Sequence, residues 1–232
     1  GGAGDDTLRG LAGPDILDGG AGTDWVDYSL ATVGVIVSLS DPSTNSGEAT
    51  GDSYISIEAL IGSGHADSLS GDSGDNTLAG GAGNDTLHGG AGADSLEGGA
   101  GVDLADYSAA ASAVKAYLSA AYLNTGEAAG DRYSGIEGII GSAFADTLLG
   151  SNSGDLLFGG VGADVLYGRG GDDSLFGGLG DDVLDGASGA DALDGGAGND
   201  VASYETATSA VLADLLNPSA NTGDAAQGDS YT

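Results

Sequence analysis

The chain repeats itself every nine residues, and that period decides what it can become. A unit G-G-x-G-x-D-x-L-x runs in unbroken phase through residues 1–27, 62–106 and 141–203. The fifteen units carry Gly at position 1 without exception and at position 4 in twelve, where His65, Phe144 and Ser153 depart. Position 6 is Asp in fourteen and Asn76 in the other. Position 8 is Leu in twelve; Val26, Ala105 and Ala202 replace it in the last unit of each run. A nine-residue piece cannot bury its own apolar side chain, so four columns held in phase mean units stacked on one another. Six residues of loop followed by x-Leu-x make half a coil, with Leu inward and its neighbours outward. Two units then close a turn of 18 residues, so loops 18 apart stack on one edge. The predicted fold is all-β: a right-handed parallel β-roll (solenoid) of nine-residue half-coils with interleaved irregular coils.

A longer period lies above the short one. Residues 19–61 recur as 98–140, matching D-Y-S at Asp27 and Asp106, and Ile57-Glu58 at Ile136-Glu137. A third copy begins at Gly195 and stops at Thr232 inside the motif. Counting back nine from Leu69 places Leu60 at position 8 and Glu58 in the acid column, and Ile139 and Glu137 fall likewise. The expected division is therefore run one at 1–27, irregular coils ending in a degenerate unit at 28–61, and run two at 62–106. Irregular coils with a degenerate end follow at 107–140, then run three at 141–203 and an incomplete irregular coil at 204–232. Alternation at Val35/Val37/Leu39, Val114/Ala116/Leu118 and Val211/Ala213/Leu215 predicts strands with one face in the core. No Met opens the chain and residue 1 already lies inside a repeat, so it reads as a piece of something longer.

Composition now narrows the chemistry. Asp and Glu total 36 against 4 Lys and Arg, a net charge of −32. No set of cations exists to replace counterions on phosphates, which excludes nucleic-acid binding through a basic surface. No apolar run reaches the roughly 20 residues of a membrane span, so no membrane insertion is expected. Yet 40% of the residues are hydrophobic, too many for a solvated acidic tail. Such a chain compacts when something neutralises its carboxylates. With no Cys and 2 His, the ligands are oxygens, and oxygens suit a hard divalent cation.

Stacked loops bring one Asp from each coil together, with glycine-loop carbonyls around them. The predicted metal ligands are Asp6, Asp15, Asp24, Asp67, Asp85, Asp94, Asp103, Asp146, Asp155, Asp164, Asp173, Asp182, Asp191 and Asp200. Backbone carbonyls are expected from Gly80, Gly81, Gly83, Gly89, Gly90, Gly92, Gly159, Gly160, Gly162, Gly177, Gly178 and Gly180. Calcium accepts six to eight oxygens in flexible geometry, whereas magnesium wants a tight octahedron and keeps its waters. Same-edge pairs within the three runs number nine, which sets a ceiling of about nine calcium ions there.

The unit resembles that of the repeats-in-toxin (RTX) family of calcium-binding parallel β-rolls. The interleaved D-Y-S … G-D-x-Y-x-x-I-E segments are similar to those of large modular RTX proteins, such as secreted adhesins and the calcium-binding modules of alginate epimerases. The resemblance implies a calcium-folded structural module of a larger secreted protein, extracellular or on the surface of a Gram-negative bacterium. It also implies type I secretion machinery as the parent chain's partner. The competing reading is an adhesin module that binds polysaccharide or a cell-surface glycan through the tyrosines of the inter-run segments. No catalytic residues are assigned and no enzyme activity is expected. There is no Cys, and the carboxylate pairs repeat along the whole chain where a glycosidase needs one dyad. His65 and His88 read as surface or packing residues, and Trp25 as packing at a run end.

Overall fold

The computed structural model describes residues 1–211, 213, 215, 221–223 and 225–232. It divides into two units, residues 1–106 with 129–136, and residues 107–128 with 137–232. Both are parallel β-roll built from the x-Leu-x segments.

In the first unit one parallel sheet runs, in order, through Arg132–Ser134, Ser95–Ala100, Thr77–Ala82, Ala59–Ile61, Trp25–Asp27 and Thr7–Leu8. A second row orders Leu104–Asp106, Thr86–His88, Ser68–Ser70 and Ile36–Ser38. In the second unit one sheet orders Lys115–Tyr117, Thr147–Leu149, Val165–Gly170, Val183–Ser188 and Val201–Ala202. The other orders Ser230–Tyr231, Ala192–Ala197, Ser174–Leu179, Leu156–Val161 and Gly138–Ile140.

Register follows the 18-residue coil. Leu78 pairs with Leu60 and Leu96, and Leu87 with Leu69 and Ala105. Leu148, Leu166 and Leu184 form one continuous ladder; Leu157, Leu175 and Leu193 form another. These position-8 side chains are the core and are almost fully removed from water. Burying each contributes roughly 1.5–3 kcal/mol. Outside the core, Phe158 stacks on Phe176 at the next coil, ring centroids 4.9 Å apart.

The expected three-residue strand is lengthened in several coils. Thr77–Ala82, Leu156–Val161 and Ser174–Leu179 each span six residues, because positions 2 and 3 of the next unit also pair, as Gly160 with Gly178 and Val161 with Leu179.

The irregular stretches continue the stack. Val35 and Val37 turn inward and Ile36–Ser38 pairs with Ser68–Ser70; Val114 and Ala116 do the same on Thr147–Leu149. In the third copy, residues 212 and 214 between Val211, Ala213 and Leu215 lie outside the described residues. Short 3-10 turns, Pro42–Thr44 and Gly47–Ala49, with Ala121–Leu123 and Gly126–Ala128 in the second copy, carry the chain around. Leu60 stacks on Val26 and Ile139 on Leu157, as a degenerate unit requires. Ser53–Ile55 also pairs with Ile16–Asp18, so Tyr54 takes the place of an inner Leu only six residues before Leu60. That half-coil is shorter than nine residues, and Ser56 makes its tight bend with φ 50.

Candidate metal centres in the stacked loops

The position-6 acid is drawn inward by the strand that follows it, and its two oxygens have different surroundings. In the stacked coils one oxygen, Oδ1, reaches to the coil before. It accepts the backbone amide of the position-6 residue 18 earlier: Asp24 from Asp6, Asp85 from Asp67, Asp164 from Asp146 and Asp173 from Asp155, each at 2.8 Å. The ladder crosses the irregular stretches, where Glu58 Oε2 accepts the Asp24 amide at 2.9 Å, the place its column predicts.

The second oxygen, Oδ2, has no protein partner on Asp15, Asp24, Asp85, Asp94, Asp164, Asp173, Asp182 and Asp191, and it is sealed from water. A buried carboxylate oxygen without a donor is costly, several times more so when charged. Burial pushes Asp94 and Asp173 up to about 7 and Asp85, Asp164 and Asp191 up to about 6. The amide from the preceding coil offsets part of that, and carboxylates on adjacent coils push the same way as burial. Without a cation these groups resist ionisation.

Backbone carbonyls lie near the bare oxygens of Asp24, Asp164 and Asp182, on the far side of Gly19, Gly159 and Gly177. A Cβ added to Gly159 would lie 2.6 Å from Asp164 Oδ2 and 2.6 Å from the Gly177 carbonyl oxygen. One on Gly160 would lie 2.7 Å from the Ser142 carbonyl oxygen, and one on Gly162 2.6 Å from that of Phe144. Position-1 glycines do not adopt positive φ; they are required because no room exists for a side chain. Positions 2 and 4 are different: Gly160 at φ 100 and Gly162 at φ 139 occupy backbone that other residues rarely adopt. Even Leu11, Arg169 and Ala187 at position 2 keep positive φ. Among the described residues no three acidic or histidine side chains converge. Any cation must draw most of its donors from carbonyls, with the Asp oxygens completing the set. That donor set fits calcium.

Some predicted ligands sit elsewhere. Asp200 is exposed and Asp6 half-buried, at the ends of their stacks. Asp67, Asp146 and Asp155 are buried, but both of their oxygens are hydrogen-bonded: Ser63, Ser142 and Ser151 each donate an amide to Oδ2 and a hydroxyl to the same carboxylate. His88 Nδ1 lies 2.7 Å from the Asp106 carbonyl oxygen, and His65 is exposed.

Three acids were not foreseen. Asp52, Asp131 and Asp229 accept the amides of Asp15, Asp94 and Asp191 at 2.9, 2.9 and 3.0 Å, continuing the ladder from within the irregular stretches. Their signal is the recurrent G-D-x-Y, where a positive-φ glycine (Gly51, Gly130, Gly228) directly precedes the acid and the tyrosine takes the inner place. A second ladder at position 5 also escaped notice. Asp5, Asp75 and Asp172 accept the amides of Thr23, Ala93 and Ala190, this time from the coil after.

A family model for the RTX calcium-binding nonapeptide repeat matches four stretches, residues 1–30, 70–105, 140–175 and 167–202, which together cover more than half of the chain. No curated protein matches the chain.

Proposed function

Because the chain belongs to the family of the RTX calcium-binding nonapeptide repeat, we propose that it is a calcium-folded structural module of a larger secreted bacterial protein exported by type I secretion. The family is a calcium-binding structural module, and the rest of the reading follows from charge and folding. The observation that carries it is the row of sealed, partnerless Oδ2 oxygens, with carbonyls of stacked loops close by at Asp24, Asp164 and Asp182. Asp15, Asp24, Asp85, Asp94, Asp164, Asp173, Asp182 and Asp191 would hold calcium with carbonyls of the position-1, position-2 and position-4 residues. Bound calcium supplies the positive charge that a chain of net −32 does not contain.

Metal binding is then folding free energy. Extracellular calcium modules bind with dissociation constants of about 10⁻⁴–10⁻³ M. A module of that affinity stays unfolded at cytoplasmic calcium, passes a secretion channel as a chain, and folds outside. Among the described residues no helix is long and apolar enough to cross a membrane. The glycan-binding reading has less support, because Tyr28 and Tyr54 bond each other at 2.8 Å and Tyr204 bonds Tyr231, whereas Tyr122 faces solvent.

Calcium titration of the chelated chain, followed by far-UV circular dichroism and hydrodynamic radius, tests the reading. Cooperative gain of β structure with contraction is expected. A chain that stays compact and β-structured without calcium at neutral pH and low salt would overturn it.

A further inference from the structure

Beyond the first loop, whose Gly2 amide goes to the Gly19 carbonyl, the loops of the runs fall into two conformational classes, and the classes coincide with the state of the carboxylate. Where position 2 has positive φ, as at Gly81, Gly160, Arg169 and Ala187, the Asp four residues on keeps a bare Oδ2. Where position 2 is Ser63, Asp72, Ser142 or Ser151, φ is not positive, and that residue's own amide turns onto the position-6 side chain. In these loops the position-2 side chain also accepts the position-4 amide: His65 to Ser63 Oγ, Phe144 to Ser142 Oγ and Ser153 to Ser151 Oγ, each at 3.1 Å, and Gly74 to Asp72 Oδ1 at 2.8 Å.

The four loops are not scattered. They are the two half-coils that open run two and the two that open run three. In each opening coil the first half-coil stacks on an apolar residue, since Asp67 Oδ1 accepts the Val35 amide and Asp146 Oδ1 the Val114 amide, both at 2.7 Å. The second stacks on the degenerate unit of Glu58 or Glu137.

We infer that the opening coils of runs two and three are closed by their position-2 residues in place of calcium. Their acids are structural acceptors and not ligands. This rests on the reading that the bare oxygens elsewhere hold calcium. Ser142 supplies by its amide and hydroxyl what the ion supplies to Asp164, at no charge to the coil below. Four of the same-edge pairs, those of Asp67, Asn76, Asp146 and Asp155 with the next coil, thereby lose a side-chain ligand, and the chain holds fewer ions than its repeat count suggests.

Calcium stoichiometry of the full chain, read by equilibrium dialysis and native mass spectrometry, decides the matter. Asp164→Asn should lose calcium, whereas Asp155→Asn should keep the wild-type number, because Ser151 donates both its amide and its hydroxyl to Oδ2, which one amide oxygen can replace. The double variant Ser142→Gly, Phe144→Gly makes the loop identical in sequence to residues 89–94 and should gain one ion. If Asp164→Asn loses none, the calcium reading of the bare oxygens fails. If Asp164→Asn and Asp155→Asn lose calcium alike, or the double variant gains none, the closure by serine is wrong while the calcium reading stands.

Discussion

Tyr28 donates its hydroxyl to Asp52 Oδ2 at 2.8 Å, so the oxygen that is bare on Asp24 is filled on Asp52 by a phenol. Tyr54 joins the pair, Asn45 Nδ2 donates to the Tyr54 hydroxyl at 2.9 Å, and Asn45 Oδ1 accepts the Ser38 amide at 2.8 Å. Burial holds the Tyr28 phenol far above its ordinary pKa, which keeps it a donor at every working pH. The set recurs at the other end: Tyr204 donates to Asp229 Oδ2 at 3.0 Å and bonds Tyr231, and Asn221 reaches Tyr231 at 3.0 Å. The irregular coils therefore satisfy their acids with side chains.

Removing one of these donors should cost stability without costing calcium. Tyr28→Phe leaves a buried carboxylate oxygen without a donor, a loss of about 1–3 kcal/mol. Urea unfolding at saturating calcium should show a lowered midpoint, with the number of bound ions unchanged. An unchanged midpoint would mean the hydroxyl carries no structural weight.

The calcium-free chain should respond to pH in the reverse of the common acid-denaturation pattern. Asp94 and Asp173 are raised to about 7 and Asp85, Asp164 and Asp191 to about 6 in the fold, against about 3.9 for an unfolded Asp. The fold then binds more protons than the unfolded chain between these values, so its stability falls as pH rises through them. Circular dichroism of calcium-stripped protein should show most β structure near the acid end of that window and least above it. Greater order at neutral pH than at acid pH would contradict the burial of these acids.

Much of this was legible in the nine-residue period, because each column answers to one physical demand. Leu166 and Leu175 read as inner ladders and are; Asp164 and Asp173 read as stacked acids and are. Glu58 could be placed by counting alone. Asp52, Asp131 and Asp229 could not, since the intervening turns break the count and only register with Leu17, Leu96 and Leu193 restores it. The role of Ser142 was also hidden. A serine in a glycine column reads as a tolerated substitution until the sign of φ shows that its amide has turned around.

Glycine at position 1 should be intolerant for reasons of space, and one control exposes this. A Cβ on Gly159 meets Asp164 Oδ2 and the Gly177 carbonyl at 2.6 Å, both held by the stack, whereas a Cβ on Gly64 meets nothing within 4 Å. Gly159→Ala should raise the calcium concentration needed for half-folding several-fold, while Gly64→Ala should leave it within error. Equal shifts in both would remove the packing argument.

Folding on calcium addition should begin in run three and reach run one last. Solenoid stability is approximately a sum of unit and neighbour terms, so the longest set of coupled sites is the best nucleus. Asp164, Asp173, Asp182 and Asp191 carry bare oxygens on four consecutive half-coils, backed by the ladders through Leu166 and Leu175. In run one only Asp15 and Asp24 do so, Leu8 is half-exposed, and the strands Gly2–Ala3 and Thr7–Leu8 are two residues long. Hydrogen exchange at a series of limiting calcium concentrations can order the two. Amides around Leu166 and Leu175 should gain protection at lower calcium than those around Leu8 and Leu17. Protection appearing first at Leu8 and Leu17 would show that the number of adjoining sites does not set the order.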